Sequence, residues 1–176
     1  MAICLLNQDI LRSNTCGYSL KQITDLYLAN YEEVSATTLG TEGNTVASIT
    51  MATGGRFYHI EPAKDSASYE DALQEGDSGS KYRTTTITWS MTGTYDGDMV
   101  DTLDALSLGK FMAVAKLTDG NYILFGRLVG LEAETASLSS DAEATGFNGI
   151  EVTLTADVVE SPLPLEDTAI ATVLAA

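Results

Sequence analysis

KFMAVAKLTDGNYILFGRLVGLEAETASLSSDAEATGFNGIEVTLTAD, residues Lys110 to Asp157, decides the fold of this chain. Two runs with strand character meet at Thr118-Asp119-Gly120-Asn121. A second turn signal, Thr145-Gly146-Phe147-Asn148-Gly149, precedes a third run with clean two-residue alternation. Asp-Gly and Asn-Gly supply the positive φ angles that tight hairpin turns need. The stretch therefore reads as an antiparallel meander of long strands. It contains no Cys or His and no nucleophile with a nearby base, so it builds a surface rather than an active site. Too little chain remains to cover both edges of such a meander. Its last run, with Ile150, Val152 and Leu154 at alternate positions, is expected to pair edge to edge with neighbouring copies.

Composition bounds the rest. A chain of 176 residues with 44% hydrophobic residues is long enough and apolar enough for one domain with a real core. The balance of 25 acids against 9 bases, a net charge of −16, is unusual. Such a chain is repelled by nucleic-acid phosphate and by anionic membranes. Cys4 and Cys16 offer at most one disulfide, too few for a disulfide scaffold, so free thiols in a reducing cytoplasm are expected. The apolar start, Met1 to Leu6, lacks the basic region of a signal peptide, and no apolar run reaches the length of a membrane span.

Working outward, most of the chain reads as strand. Ile23 to Val34 carries apolar groups on both faces and is expected to be covered on both sides. Val46 to Thr53 is a short strand that Gly54-Gly55 turns into Arg56 to Pro62, which predicts a hairpin. Tyr82 to Met91 is threonine-rich, with Ile87 and Trp89 on one face. Between them, Lys64 to Ser80 is polar, acidic and without periodicity, and it reads as a long projecting loop. Tyr69, Ala72 and Leu73 would be its apolar anchors against a neighbouring subunit or ring. One helix is expected from Met99 to Leu108, with Asp98 as N-cap, Met99, Leu103 and Leu106 at helical spacing, and Gly109 as its stop. Residues 161–176 open with Pro162 and Pro164 and read as a C-terminal extension outside a single domain over 1–160. The fold class is mainly β: an antiparallel sandwich or barrel-like domain with one flanking α-helix.

Candidate chemistry is thin. His59 is the only histidine and has no Cys or His near it in sequence, so no metal site is expected. Asp96-Gly97-Asp98, with Asp101 and Asp104 after it, lacks the spacing and terminal Glu of a calcium loop, and helix capping explains it better. Gly54-Gly55-Arg56 is not a phosphate loop, because no helix follows it. No catalytic residue, metal ligand or cofactor site is expected.

The order of these elements resembles the tail tube proteins of tailed bacteriophages, in particular the versions from phages and prophages of Bacteroides-type bacteria. The resemblance rests on Gly17 to Tyr31, the strand Phe57-Tyr58-His59-Ile60-Glu61, the Thr-rich strand ending at Trp89, and the following helix. It extends through Phe125-Gly126-Arg127 with Gly130-Leu131 to the closing Gly146…Thr155 strand, and covers roughly residues 17 to 160. It implies a β-sandwich or barrel-like domain with a flanking helix. It further implies homo-oligomeric rings, usually hexamers in a tube, that contact other tail or neck proteins and conduct DNA as passing cargo. The type VI secretion tube shares that architecture. On this reading the protein assembles in the host bacterial cytoplasm, resides in the virion, performs no catalysis and touches no membrane. A secreted or surface β-sandwich binding module is the alternative.

Overall fold

The Thr-rich run expected at 82–91 is the spine of one layer of the molecule. In the computed structural model, which describes residues 22–92, 97–140 and 148–175, this strand runs Lys81–Met91. Counting in chain order it is β6, after β1 (Ile23–Asn30), β2 (Val34–Leu39), β3 (Val46–Met51), β4 (Tyr58–Ile60) and β5 (Ser68–Glu75). Helix α1 (Gly97–Leu108) follows, then β7 (Lys110–Leu117), β8 (Tyr122–Phe125), β9 (Leu131–Ser139), β10 (Gly149–Val158), β11 (Leu163–Pro164) and helix α2 (Asp167–Leu174). The chain is mainly β and its described strand pairs are antiparallel, with a single parallel bridge between Val46 and Leu165.

The strands form three layers. β5, β6, β10 and β9 lie side by side in one sheet region, and β4, β1, β7, β8 and β11 in the next. The two regions are continuous where Lys110 and Phe111 of β7 meet Glu132 and Leu131 of β9. Between them lies the first core, with Ile87, Trp89, Val152 and Leu154 from one side and Leu26, Leu28, Ala113 and Ala115 from the other. The opposite face of β1 and β7 presents Tyr27, Ala29, Met112 and Val114 to a second core. That core is closed by Val46 and Ile49 of the β2–β3 hairpin, by Phe57, and by Ala169 and Val173 of α2. Four successive residues of β1, Leu26 to Ala29, are therefore buried, as its two apolar faces require.

The meander expected over 110–157 holds, with its middle run broken in two. β7 and β8 form a hairpin through Gly120, whose φ is +87°. β8 and β9 are one strand interrupted by residues 126–130, which loop out and let β9 leave β7 for β10. Gly126 (φ +75°) and Gly130 (φ +79°) bracket this excursion. A Cβ on Gly130 would also press on Lys110 and Tyr31, so glycine is required there twice over. Of the second turn signal, Thr145 to Gly149, residues Thr145 to Phe147 lie outside the described residues.

Several expectations are corrected. Val46 to Thr53 does not form a hairpin with Arg56 to Pro62: β3 pairs with β2, while β4 crosses to β1. Gly54, with φ +87°, turns the chain away from β3 rather than back along it. The projecting loop at Lys64 to Ser80 is instead a tight hairpin, with eight residues of β5 paired to β6 from Ser68↔Thr88 to Glu75↔Lys81. Asp98 lies inside α1 rather than capping it, and Leu108 is exposed while Leu106 is buried. Gly109 does stop the helix, but not in a left-handed conformation; its N–H donates to the Ala105 carbonyl and its missing Cβ makes room for the Phe111 ring. The C-terminal segment is built into the domain: β11 pairs with β8, and α2 packs on β3.

Candidate functional site: an open hydroxyl face and a free edge

The face of β5, β6, β10 and β9 turned away from the first core is not covered by any described element. Strand alternation puts every second residue there. In register across the sheet run Ser68, Thr88, Thr153 and Thr135, and beside them Glu70, Thr86, Thr155 and Glu132. A third row holds Ala72, Thr84 and Asp157, and a fourth Ser90, Glu151 and Ser137. Hydroxyls bridge neighbouring strands, Thr88 to Thr153 at 3.0 Å and Thr86 to Thr155 at 3.3 Å, and Thr84 donates to the Asp157 carboxylate at 2.6 Å. Each such cross-strand pair contributes about 0.2–1 kcal/mol. The rows carry mostly acids and hydroxyls, and at their border Lys110 is held by Glu132 at 2.8 Å. That contact keeps the Lys110 ammonium protonated above its usual range.

Among the described residues three ion-pair knots lie elsewhere, two of them between neighbouring strands of one sheet region. The Asp25 carboxylate accepts from His59 at 2.9 Å, from Thr24 at 2.9 Å and lies 3.3 Å from Lys116. Burial pushes this carboxyl up, but the His59, Thr24 and Lys116 contacts outweigh burial and hold it below the ordinary carboxylate range. The same contact raises Lys116. Tyr27 stacks on the His59 ring with centroids 4.9 Å apart, and burial first, then the Asp25 charge, raises its phenol. Arg127 grips Glu160 through two bonds of 2.7 and 2.6 Å, which raises the guanidinium further. Arg83 grips Asp71 on the inner side of β5, at 2.8 Å from Nε and 2.6 Å from Nη2, and is raised in the same way. Each of these carboxylates is already occupied by donors, the arrangement of a structural clamp.

The expected assembly residues fall in two different settings. Ile150, Val152 and Leu154 are buried in the first core, and their strand is paired on both sides, to β6 and to β9. β10 is thus an interior strand and cannot be the pairing edge, because its backbone groups are already spent within the chain. Tyr69, Ala72 and Leu73 all lie on β5, which pairs only with β6. Its outer edge is free among the described residues. Tyr69 is 41% exposed yet rests on Phe125 with ring centroids 5.2 Å apart, Leu73 is 60% exposed, and Ala72 is half-buried. Sequence reasoning missed the strand because acids interrupt it. A signal was available in the alternation of Tyr69, Asp71 and Leu73 against Ser68, Glu70 and Ala72.

Among the described residues no group of His, Cys, Asp and Glu is arranged to hold a metal ion, and no helix is long and apolar enough to cross a membrane. Comparison with protein-family models, with curated proteins and with solved structures finds no match to this chain.

Proposed function

We propose that this chain is a structural subunit of a homo-oligomeric ring in a bacteriophage tail or neck, assembled in the host cytoplasm and carried in the virion, which conducts DNA without catalysis. The observation that carries this reading is the open face of β5, β6, β10 and β9: acids and hydroxyls in register, with Lys110 at its border already neutralised. A wall of that chemistry lets a polyanion pass, because like charge opposes phosphate contact and the Thr86, Thr88, Thr153 and Thr155 hydroxyls are engaged with one another. The net charge of −16 extends the same repulsion over the whole subunit. The antiparallel sandwich with a flanking helix, and the resemblance of its element order to tail tube proteins, support the same reading. The clamp-like occupation of Asp25, Asp71 and Glu160 fits a rigid building block better than a site with a free base.

Negative-stain micrographs of the concentrated protein, paired with a gel-shift titration against duplex DNA at low and moderate salt, test this. Rings or tubes without DNA binding are expected. Micromolar, salt-sensitive binding to DNA, or the absence of any ring at high concentration, would contradict the reading.

A further inference from the structure

The free edge of β5 is guarded against pairing only by its acids, Glu70, Glu75 and the inward-facing Asp71. It contains no Pro, no Lys and no bulge over eight residues, and it displays Tyr69 and Leu73 beside it. Its charges decide which partner strand it tolerates. Arg56 precedes β4, but β4 has only three residues, and β11 has two with a proline. A second copy of β5 itself, antiparallel about a twofold axis perpendicular to the sheet, offers a match at one register. With Asp71 on the axis, Tyr69 of each copy faces Leu73 of the other, Glu70 faces Ala72, and Ser68 faces Gln74. The Tyr69–Leu73 pairs fall on the inner side of the sheet, where Tyr69 already touches Phe125, so the first core would continue across the junction. The two Asp71 carboxylates that meet at the axis are each neutralised by their own Arg83 and by the Thr85 hydroxyl. Shifting the register by two residues in one direction sets Glu70 against Glu70, and in the other direction sets Tyr69 against Glu75.

We propose that β5 pairs with β5 of a second copy in this register, forming an isologous contact that joins two sheets across a twofold axis. The contact does not rest on the ring reading. An isologous patch closes after two copies, so it yields a dimer in isolation and joins facing subunits of two rings where rings form.

Cysteine cross-linking of the full chain tests it. In a background with Cys4→Ser and Cys16→Ser, the double variant Glu70→Cys/Ala72→Cys places two thiol pairs opposite one another. The Cα separation of directly opposed residues, about 4.5–5.5 Å, suits a disulfide. Oxidation is expected to give a covalent dimer, and either single variant alone is expected to give none. Sedimentation should show twice the chain mass of 18.7 kDa for the wild type. Leu73→Glu, with an unchanged circular dichroism spectrum, should weaken association at least about tenfold. A strict monomer at high concentration, cross-linking by the single variants as readily as by the double, or undiminished association of folded Leu73→Glu would overturn the proposal. Rings without the double-variant cross-link would sink β5 pairing and leave the ring standing, whereas a cross-linked dimer that never forms rings would do the reverse.

Discussion

β10 and β5 are both strands of eight or more residues in the same sheet, yet they could hardly be set more differently. β10, GIEVTLTADV, alternates cleanly, buries Ile150, Val152, Leu154, Ala156 and Val158, and is paired on both sides. β5, SYEDALQE, is acidic, buries none of its residues fully and is paired on one side. Regular alternation advertises a strand whose one face is in the core, and says nothing about how many neighbours it has. The strand best suited by sequence to pairing is therefore the one already consumed by the fold, and the strand left over for partners is the one that barely looks like a strand.

The largest effect should come from breaking β10. Val152→Pro removes ladder bonding in an interior strand and buried apolar volume together. We expect loss of the cooperative unfolding transition, read by circular dichroism, rather than a folded protein that merely fails to assemble. Deleting Ser66 to Gly79 is next. Because β5 covers one edge of β6 and Tyr69 packs on Phe125, the deletion should lower the melting temperature clearly while leaving a cooperative transition. A melting temperature equal to that of the wild type would show that these residues are the dispensable loop their composition implies.

Smaller effects sharpen the contrast between rigid interior and open edge. Gly130→Ala forces a side chain into a left-handed backbone beside Lys110 and Tyr31, and should cost about 1–3 kcal/mol in denaturant unfolding. Gly120→Ala, at an open hairpin turn with nothing near its Cβ position, should cost less. The smallest change concerns acid. The Asp25 carboxyl is depressed in the folded state, so its stabilising contribution is present above the ordinary carboxylate range and is lost as pH falls through the depressed folded value. Asp25→Asn should be less stable near neutrality and should lose less stability on acidification than the wild type. An acid-unfolding profile parallel to that of the wild type would contradict the clamp assigned to Asp25, His59 and Lys116.

What the sequence disclosed follows from which interactions are local. Ile87 and Trp89 on one side of β6, the two-sided burial of β1, and the hairpin at Gly120 are written in short-range periodicity and turn chemistry, and each is found in place. The partner of β4 is set by a crossover to β1, and the bridge from Val46 to Leu165 spans 119 residues; no local pattern encodes either. α2 escaped because Pro162 and Pro164 read as a break, although Glu166-Asp167-Thr168 opens a helix whose Ala169 and Val173 share a face. For the candidate site, Tyr69, Ala72 and Leu73 stood out as apolar groups in an acidic run but not as members of a strand. Ile150, Val152 and Leu154 were legible as a strand but not as its centre. The hydroxyl face was hidden because its rows unite residues 68, 88, 153 and 135, which only the strand order brings together.

Amide hydrogen exchange measured across a concentration series tests the central claim, that assembly uses the β5 edge and leaves β10 as interior scaffold. Amides of Ile150 to Val158 should be strongly protected at every concentration. Those of Ser68 to Glu75 should be only partly protected in dilute protein and should gain protection as the protein assembles. Assembly without any gain at Ser68 to Glu75, or with the gain at Ile150 to Val158 instead, would contradict it.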